Sequence, residues 1–134
     1  MSRPTPVYNV IATKGDLKDL LKLSEKQLVI VDYHQDWCGA TAALSPFLNQ
    51  LWIDIDECAK RIYVATCSTA IEGCDTLIQQ WSPEIKLQQQ GCKPLFVLLR
   101  QGQSIGAVDG VNTPAIRMLI DLYLPKLPKK SDDQ

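Results

Sequence analysis

Apolar positions along the chain alternate between short β-type runs and stretches spaced for helices, with polar turns between them. Residues 7–12 read as a short edge strand. Thr13-Lys14-Gly15-Asp16 has the form of a capping box, with Thr13 at the N-cap and Asp16 three residues on. The helix it opens carries Leu17, Leu20 and Leu21 on one side, with Leu23 at its margin. Residues 27–34 contain Leu28-Val29-Ile30-Val31, a continuous apolar run that suits a central strand covered on both faces. A long helix is predicted over 40–59, because Leu44, Phe47, Leu48, Leu51, Trp52 and Ile55 recur at steps of three and four. Pro46 falls inside it and predicts a kink.

Residues 61–67 form a second good strand, followed by a helical stretch near 75–81. Ser82-Pro83-Glu84 has the look of a fresh N-cap with proline at the first helical position, which predicts a glutamine-rich helix to about residue 90. Residues 95–100 are a third apolar strand. Gln101-Gly102 is then a hairpin turn into a strand at 104–109. Asn112-Thr113-Pro114 caps a last helix through about residue 124, with Ile116, Leu119, Ile120 and Tyr123 facing inward. The order β-α-β-α-β-α-β-β-α combines parallel crossovers with a terminal antiparallel hairpin. That is an α/β three-layer sandwich, a mixed central sheet with helices on both faces. The expected organisation is a flexible tail at 1–6, one domain at 7–124 and a second flexible tail at 125–134.

Composition narrows the function classes. The 134 residues suffice for one domain with its own core. Apolar residues at 46% and charged residues at 22% are ordinary for a soluble globular protein. A formal net charge of -1 points to neither nucleic acid nor an anionic membrane surface. No apolar run approaches the roughly 20 residues of a membrane span, and the N-terminus lacks the apolar stretch of a secretion signal. Five cysteines at irregular spacing do not form a disulfide framework, so a reduced, cytoplasmic compartment is expected. The single histidine, His34, excludes histidine-rich zinc sites; no metal and no cofactor are expected.

The chemistry concentrates at Trp37-Cys38-Gly39-Ala40-Thr41. A dithiol redox centre needs two cysteines separated by two residues at the start of a helix: one attacks, the other resolves the mixed disulfide. Cys38 holds the first position and Thr41 the second. Around this loop the chain resembles the thioredoxin family over roughly residues 7–124. Asp32 lies six residues before Cys38, where thioredoxins keep a buried acid, and Pro46 lies where they keep a helix-kinking proline. Lys93-Pro94-Leu95 stands at the family's cis-proline, and Gly102 and Gly110 match its hairpin and final-turn glycines. In Gly91-Cys92-Lys93-Pro94-Leu95-Phe96 and Gly110-Val111-Asn112-Thr113-Pro114-Ala115 the chain is also similar to the thioredoxin-type light chains of ciliary outer-arm dynein. The thioredoxin domain of ciliary thioredoxin–nucleoside-diphosphate-kinase fusions shares that likeness. Most such relatives keep both active-site cysteines; this chain has Ala40 and Thr41 instead. The stretch between Pro46 and Pro94 is also about a dozen residues longer than in a plain thioredoxin, with the elaboration expected near 67–90.

The resemblance implies a protein-binding subunit docked on a dynein heavy chain in the axoneme of a cilium or flagellum, with the dithiol cycle lost. Trp37, Gly39, Ala40, Thr41, Lys93 and Pro94 would line the groove, and Cys38 would keep only a residual thiol. In the family the backbone before the cis-proline pairs with peptide like an added strand, and Lys93 beside it would favour an acidic partner. An exposed thiol before a helix N-terminus also suits an enzyme, a monothiol oxidoreductase or redox sensor that forms mixed disulfides through Cys38. Asp32 reads as a structural remnant held by water or a polar neighbour. Cys58, Cys67, Cys74 and Cys92 read as buried and inert, with Cys74 the most exposed of the first three; Cys92, two residues before Pro94, could instead be a reactive thiol near the groove or a substitute resolver. Trp52 and Trp81 are core candidates, and Trp81 could instead anchor a partner.

Overall fold

A computed structural model describes residues 6–35, 40–86 and 94–126, with backbone only at 40–43. The strands are β1 (Tyr8–Val10), β2 (Leu28–His34), β3 (Ile62–Ser68), β4 (Leu95–Arg100) and β5 (Gln103–Asp109). The helices are α1 (Lys14–Leu23), α2 (Ala40–Asp54), α3 (Cys58–Arg61), α4 (Cys74–Trp81) and α5 (Thr113–Tyr123). The strands make one sheet in the order β1-β3-β2-β4-β5. β3 runs parallel to β1 and β2, whereas β4 is antiparallel to β2 and β5. This is the mixed sheet that the pattern of runs and crossovers predicts.

β2 is the spine, with a strand hydrogen-bonded along each side and every residue from Leu28 to Tyr33 buried. Alternation sends its side chains into two cores. Leu28 and Ile30 join Phe96 and Leu98 of β4 beneath α2 and α5; Val29, Val31 and Tyr33 join Leu95, Val97 and Leu99 beneath α1 and α4. α2 presents Leu44, Leu48, Leu51 and Trp52 to the first core, and Ile55 just beyond the helix continues that face. Each such side chain, taken fully out of water, contributes about 1.5–3 kcal/mol. α5 lies close over β5 because Gly106 has no side chain. A Cβ there would sit 2.9 Å from Leu119 Cδ1.

Local rules set the element ends. Thr13 accepts from the Asp16 N–H at 3.1 Å, but the Asp16 carboxylate takes the N–H of Ala12, one residue before the cap. Asn112 accepts from the Ala115 N–H, as an N-cap should. At the β4–β5 hairpin, Gln101 (φ 58°) and Gly102 (φ 78°) both take the left-handed conformation that a two-residue I′ turn requires.

Four expectations need correction. The helix predicted over 40–59 breaks after Asp54: Glu57 is left-handed (φ 51°), and a separate turn, α3, follows. The helix predicted to restart at Ser82 does not form over 82–86. The Ser82 hydroxyl donates backward to the Ile78 carbonyl at 2.6 Å, and the Gln79 amide bonds the carbonyls of Ser82 and Ile85. Those bonds end α4, and the Ile85 N–H bonded to the Ser82 carbonyl leaves only a turn over 82–85; residues 87–93 lie outside the described set. Cys74 is fully buried rather than the most exposed of the three cysteines, because α4 turns it into the second core. Tyr123 is 39% exposed, since α5 buries mainly Ile116 and Ile120.

One tie was not anticipated. Ser24, fully buried at the end of α1, donates its hydroxyl to the Leu21 carbonyl (2.6 Å) and accepts from the Gly102 N–H (2.9 Å). Its carbonyl accepts from the Gln101 N–H and from the Arg100 guanidinium. Ser24 therefore pins the hairpin to α1. Ser24→Ala strands the Gly102 N–H and should cost about 1–3 kcal/mol in urea unfolding, with no change in helix content.

Candidate functional site

Because β2 and β3 are parallel and α2 follows β2, several chain ends meet at one end of the sheet. His34 and Gln35 close β2, α2 begins at Ala40, and Pro94 lies one residue before the Tyr33–Leu95 pair. Pro94 is buried, and its carbonyl accepts from the Gly110 N–H at 2.8 Å. Trp37, Cys38, Gly39, Cys92 and Lys93, and with Lys93 the peptide bond to Pro94, lie outside the described residues. Ala40 and Thr41 form the first turn of α2; their side chains also lie outside that set.

Asp32 occupies the middle of the sheet, opposite Thr66 on β3 and Phe96 on β4, and is 1% exposed. A carboxylate in such a place needs polar company. His34 Nδ1 lies 3.1 Å from Asp32 Oδ1. The two residues are two apart on one strand, so their side chains share a face. The polar neighbour anticipated for Asp32 is thus the chain's lone histidine, a pairing that i,i+2 alternation could have revealed.

The opposite face of the same end is thiol-rich. Tyr33, Cys67 of β3 and Cys74 of α4 pack together in the second core. The Cys67 thiol packs with Cys74, and its Sγ donates to the Ser68 carbonyl at 3.7 Å. Burial pushes the Cys67 thiol far up, helped by Cys74 and Asp32. Burial likewise pushes the Tyr33 phenol up to about 12, with Asp75, Cys67 and Cys74 adding to it. On the other side of the molecule, burial raises Cys58 to about 11 against the pull of Arg61 and Arg117. A thiol held neutral is a poor nucleophile, so Cys58 and Cys67 are packing groups. Among the described residues, no three or more His, Cys, Asp or Glu side chains gather as a metal site would require.

Comparison with known proteins accords with this architecture. No protein-family model matches the sequence. The thioredoxin of Fasciola hepatica superposes with a TM-score of 0.62 at 22% identity, covering 86% of this chain and 98% of that one. Mouse thioredoxin is 25% identical over 117 residues, 87% of this chain and 99% of its own length. The chain is thioredoxin-like. This thioredoxin-like chain is also 29% identical, over 116 residues, to the 16 kDa light chain of the flagellar outer-arm dynein of Chlamydomonas reinhardtii. That match spans 86% of this chain and 67% of the light chain.

The buried thiols set the alkaline behaviour of the fold. Cys58 keeps its proton up to about pH 11 when folded, whereas the unfolded thiol ionises near its ordinary 9.0. The associated stability is fully present below pH 9 and is lost as pH rises toward 11. The urea midpoint should fall over that window, less steeply in Cys58→Ala. Iodoacetamide at pH 8 should label Cys58 and Cys67 only after unfolding, as peptide mass mapping would show.

Proposed function

We propose that this thioredoxin-like chain is a protein-binding subunit of the axonemal outer dynein arm, docked on a heavy chain, in which the dithiol cycle has been given up. The reading is carried by likeness to an outer-arm dynein light chain over 86% of the sequence, in a chain whose loop reads Cys38-Gly39-Ala40-Thr41. A threonine hydroxyl cannot displace a partner from a mixed disulfide, so attack by Cys38 on a target would stop at the covalent adduct. The buried thiols do not substitute: Cys67 is locked in its protonated form by burial, and Cys74 has no exposed surface. What remains is a rigid scaffold with strand ends, a helix start and a buried proline converging at one end of the sheet. Trp37, Gly39, Ala40, Thr41, Lys93 and Pro94 are the proposed lining of that surface.

Two measurements test this. The epitope-tagged chain, expressed in ciliated cells, should co-sediment with outer-arm heavy chains in a sucrose gradient of axonemal high-salt extract. Recovery only at the monomer position would refute the light-chain assignment. In an insulin-reduction assay with dithiothreitol, the wild type should match Cys38→Ser to within about two-fold. Turnover ten-fold above that variant would show a working oxidoreductase.

A further inference from the structure

Among the described residues, β1 is an edge strand and nothing pairs with its outer side. The Ile11 N–H donates to the Thr66 carbonyl at 2.9 Å. In a parallel ladder alternate residues face the neighbour, so Asn9 and Ile11 turn their backbone groups to β3 while Tyr8 and Val10 turn theirs outward. Val7 and Val10 are 64% and 78% exposed. An exposed apolar edge with unpaired backbone groups is a template for another strand.

Cavities flank this edge on both sides. One, of about 210 Å³, is lined by uncharged residues, among them Val7, Trp52, Ala59 and Ile62. Trp52 is only 7% exposed, and its Nε1–H is a buried donor with no hydrogen-bond partner among the described residues. Such a donor costs stability unless something accepts from it. The second cavity, of about 380 Å³, lies between β1 and α1 and carries the carboxylates of Asp16 and Asp19.

We propose that the outer edge of β1 docks an extended segment of a partner polypeptide whose side chains alternate between apolar and basic. Pairing with Tyr8 and Val10 sends successive side chains of the added strand to opposite faces. Apolar ones enter the Trp52 cavity. Lysine or arginine side chains reach Asp16 and Asp19 on the other face. The choice of a protein as occupant rests on the binding-subunit reading above; the edge and its two cavities specify the chemistry of the segment.

The probe is a phage-displayed library of random twelve-residue peptides, selected against the full chain. Selected peptides should alternate apolar and basic residues. On titration into ¹⁵N-labelled protein they should shift the Trp52 indole N–H and move the amides of Tyr8 and Val10. Val10→Pro removes only an outward N–H, and Ala59→Glu puts a charge at the mouth of the apolar cavity. Each should weaken binding at least ten-fold with an unchanged circular dichroism spectrum, whereas Met118→Ala, an exposed position on α5, binds like the wild type. The proposal is overturned if no peptide is selected, or if the selected ones move residues near Pro94 and Ala40 instead. It is also overturned if the β1 resonances shift with protein concentration alone, which would mark a self-association edge. Sedimentation with outer-arm extract separates the two readings. If wild type and Val10→Pro both co-sediment, the edge proposal fails and the light-chain reading stands. If the wild type does not co-sediment, the light-chain reading fails and the peptide result alone judges the edge.

Discussion

Everything in this molecule hangs on the burial of β2 from both sides and along both edges. A strand in that position has no wet face, so its residues must be apolar or come with their own polar partner. Leu28 to Val31 meet the first condition. Asp32, 1% exposed, meets the second through His34, two residues further along the same face. Phe96 and Leu98 on β4, and Val64 on β3, are buried because they continue the layer that β2 begins. The two helical layers are then required, since each face of the sheet must be covered.

The same constraint sets the chemistry. Placing Tyr33 and Cys67 inside the second layer removes their ionised forms from reach at ordinary pH. Thiols in this protein are thus divided by position. Cys58, Cys67 and Cys74 belong to packed interiors, whereas Cys38 falls in sequence between β2 and α2, outside the described residues. The interior thiols are thereby kept protonated, and the position three residues after Cys38 carries a threonine. The two ends of the molecule differ as well. The hairpin end is tied down by Ser24 and Arg100, while the β1 edge keeps outward backbone groups and a buried donor at Trp52.

Where pattern and structure part, the cause is competition for hydrogen bonds or a choice between faces. Ser82-Pro83-Glu84 has every local mark of a helix start. Yet the Ser82 hydroxyl was drawn to the carbonyl of Ile78, four residues back, because α4 needed an ending there. Cys74 read as the most exposed of Cys58, Cys67 and Cys74, but Cys74, Leu77 and Ile78 make the buried face of α4. Ser24 gave no signal at all, because its partners at Leu21 and Gly102 include one 78 residues away.

Sequence periodicity determined the number, type and order of the main elements, because apolar residues must alternate on a strand and recur every three to four on a helix. It also revealed the loop at Cys38 and the substitution at Thr41, since both are read from residue identity and spacing. Only the tertiary structure decided which ionisable groups are dry, which backbone groups find partners and which edge stays open. Those properties depend on separate elements meeting in space: Cys74 of α4 against Cys67 of β3, Trp52 of α2 beneath β1, and Ser24 at the end of α1 against Gly102 in the hairpin. No local rule carries that information, because burial and pairing belong to the assembled layers and not to any segment alone.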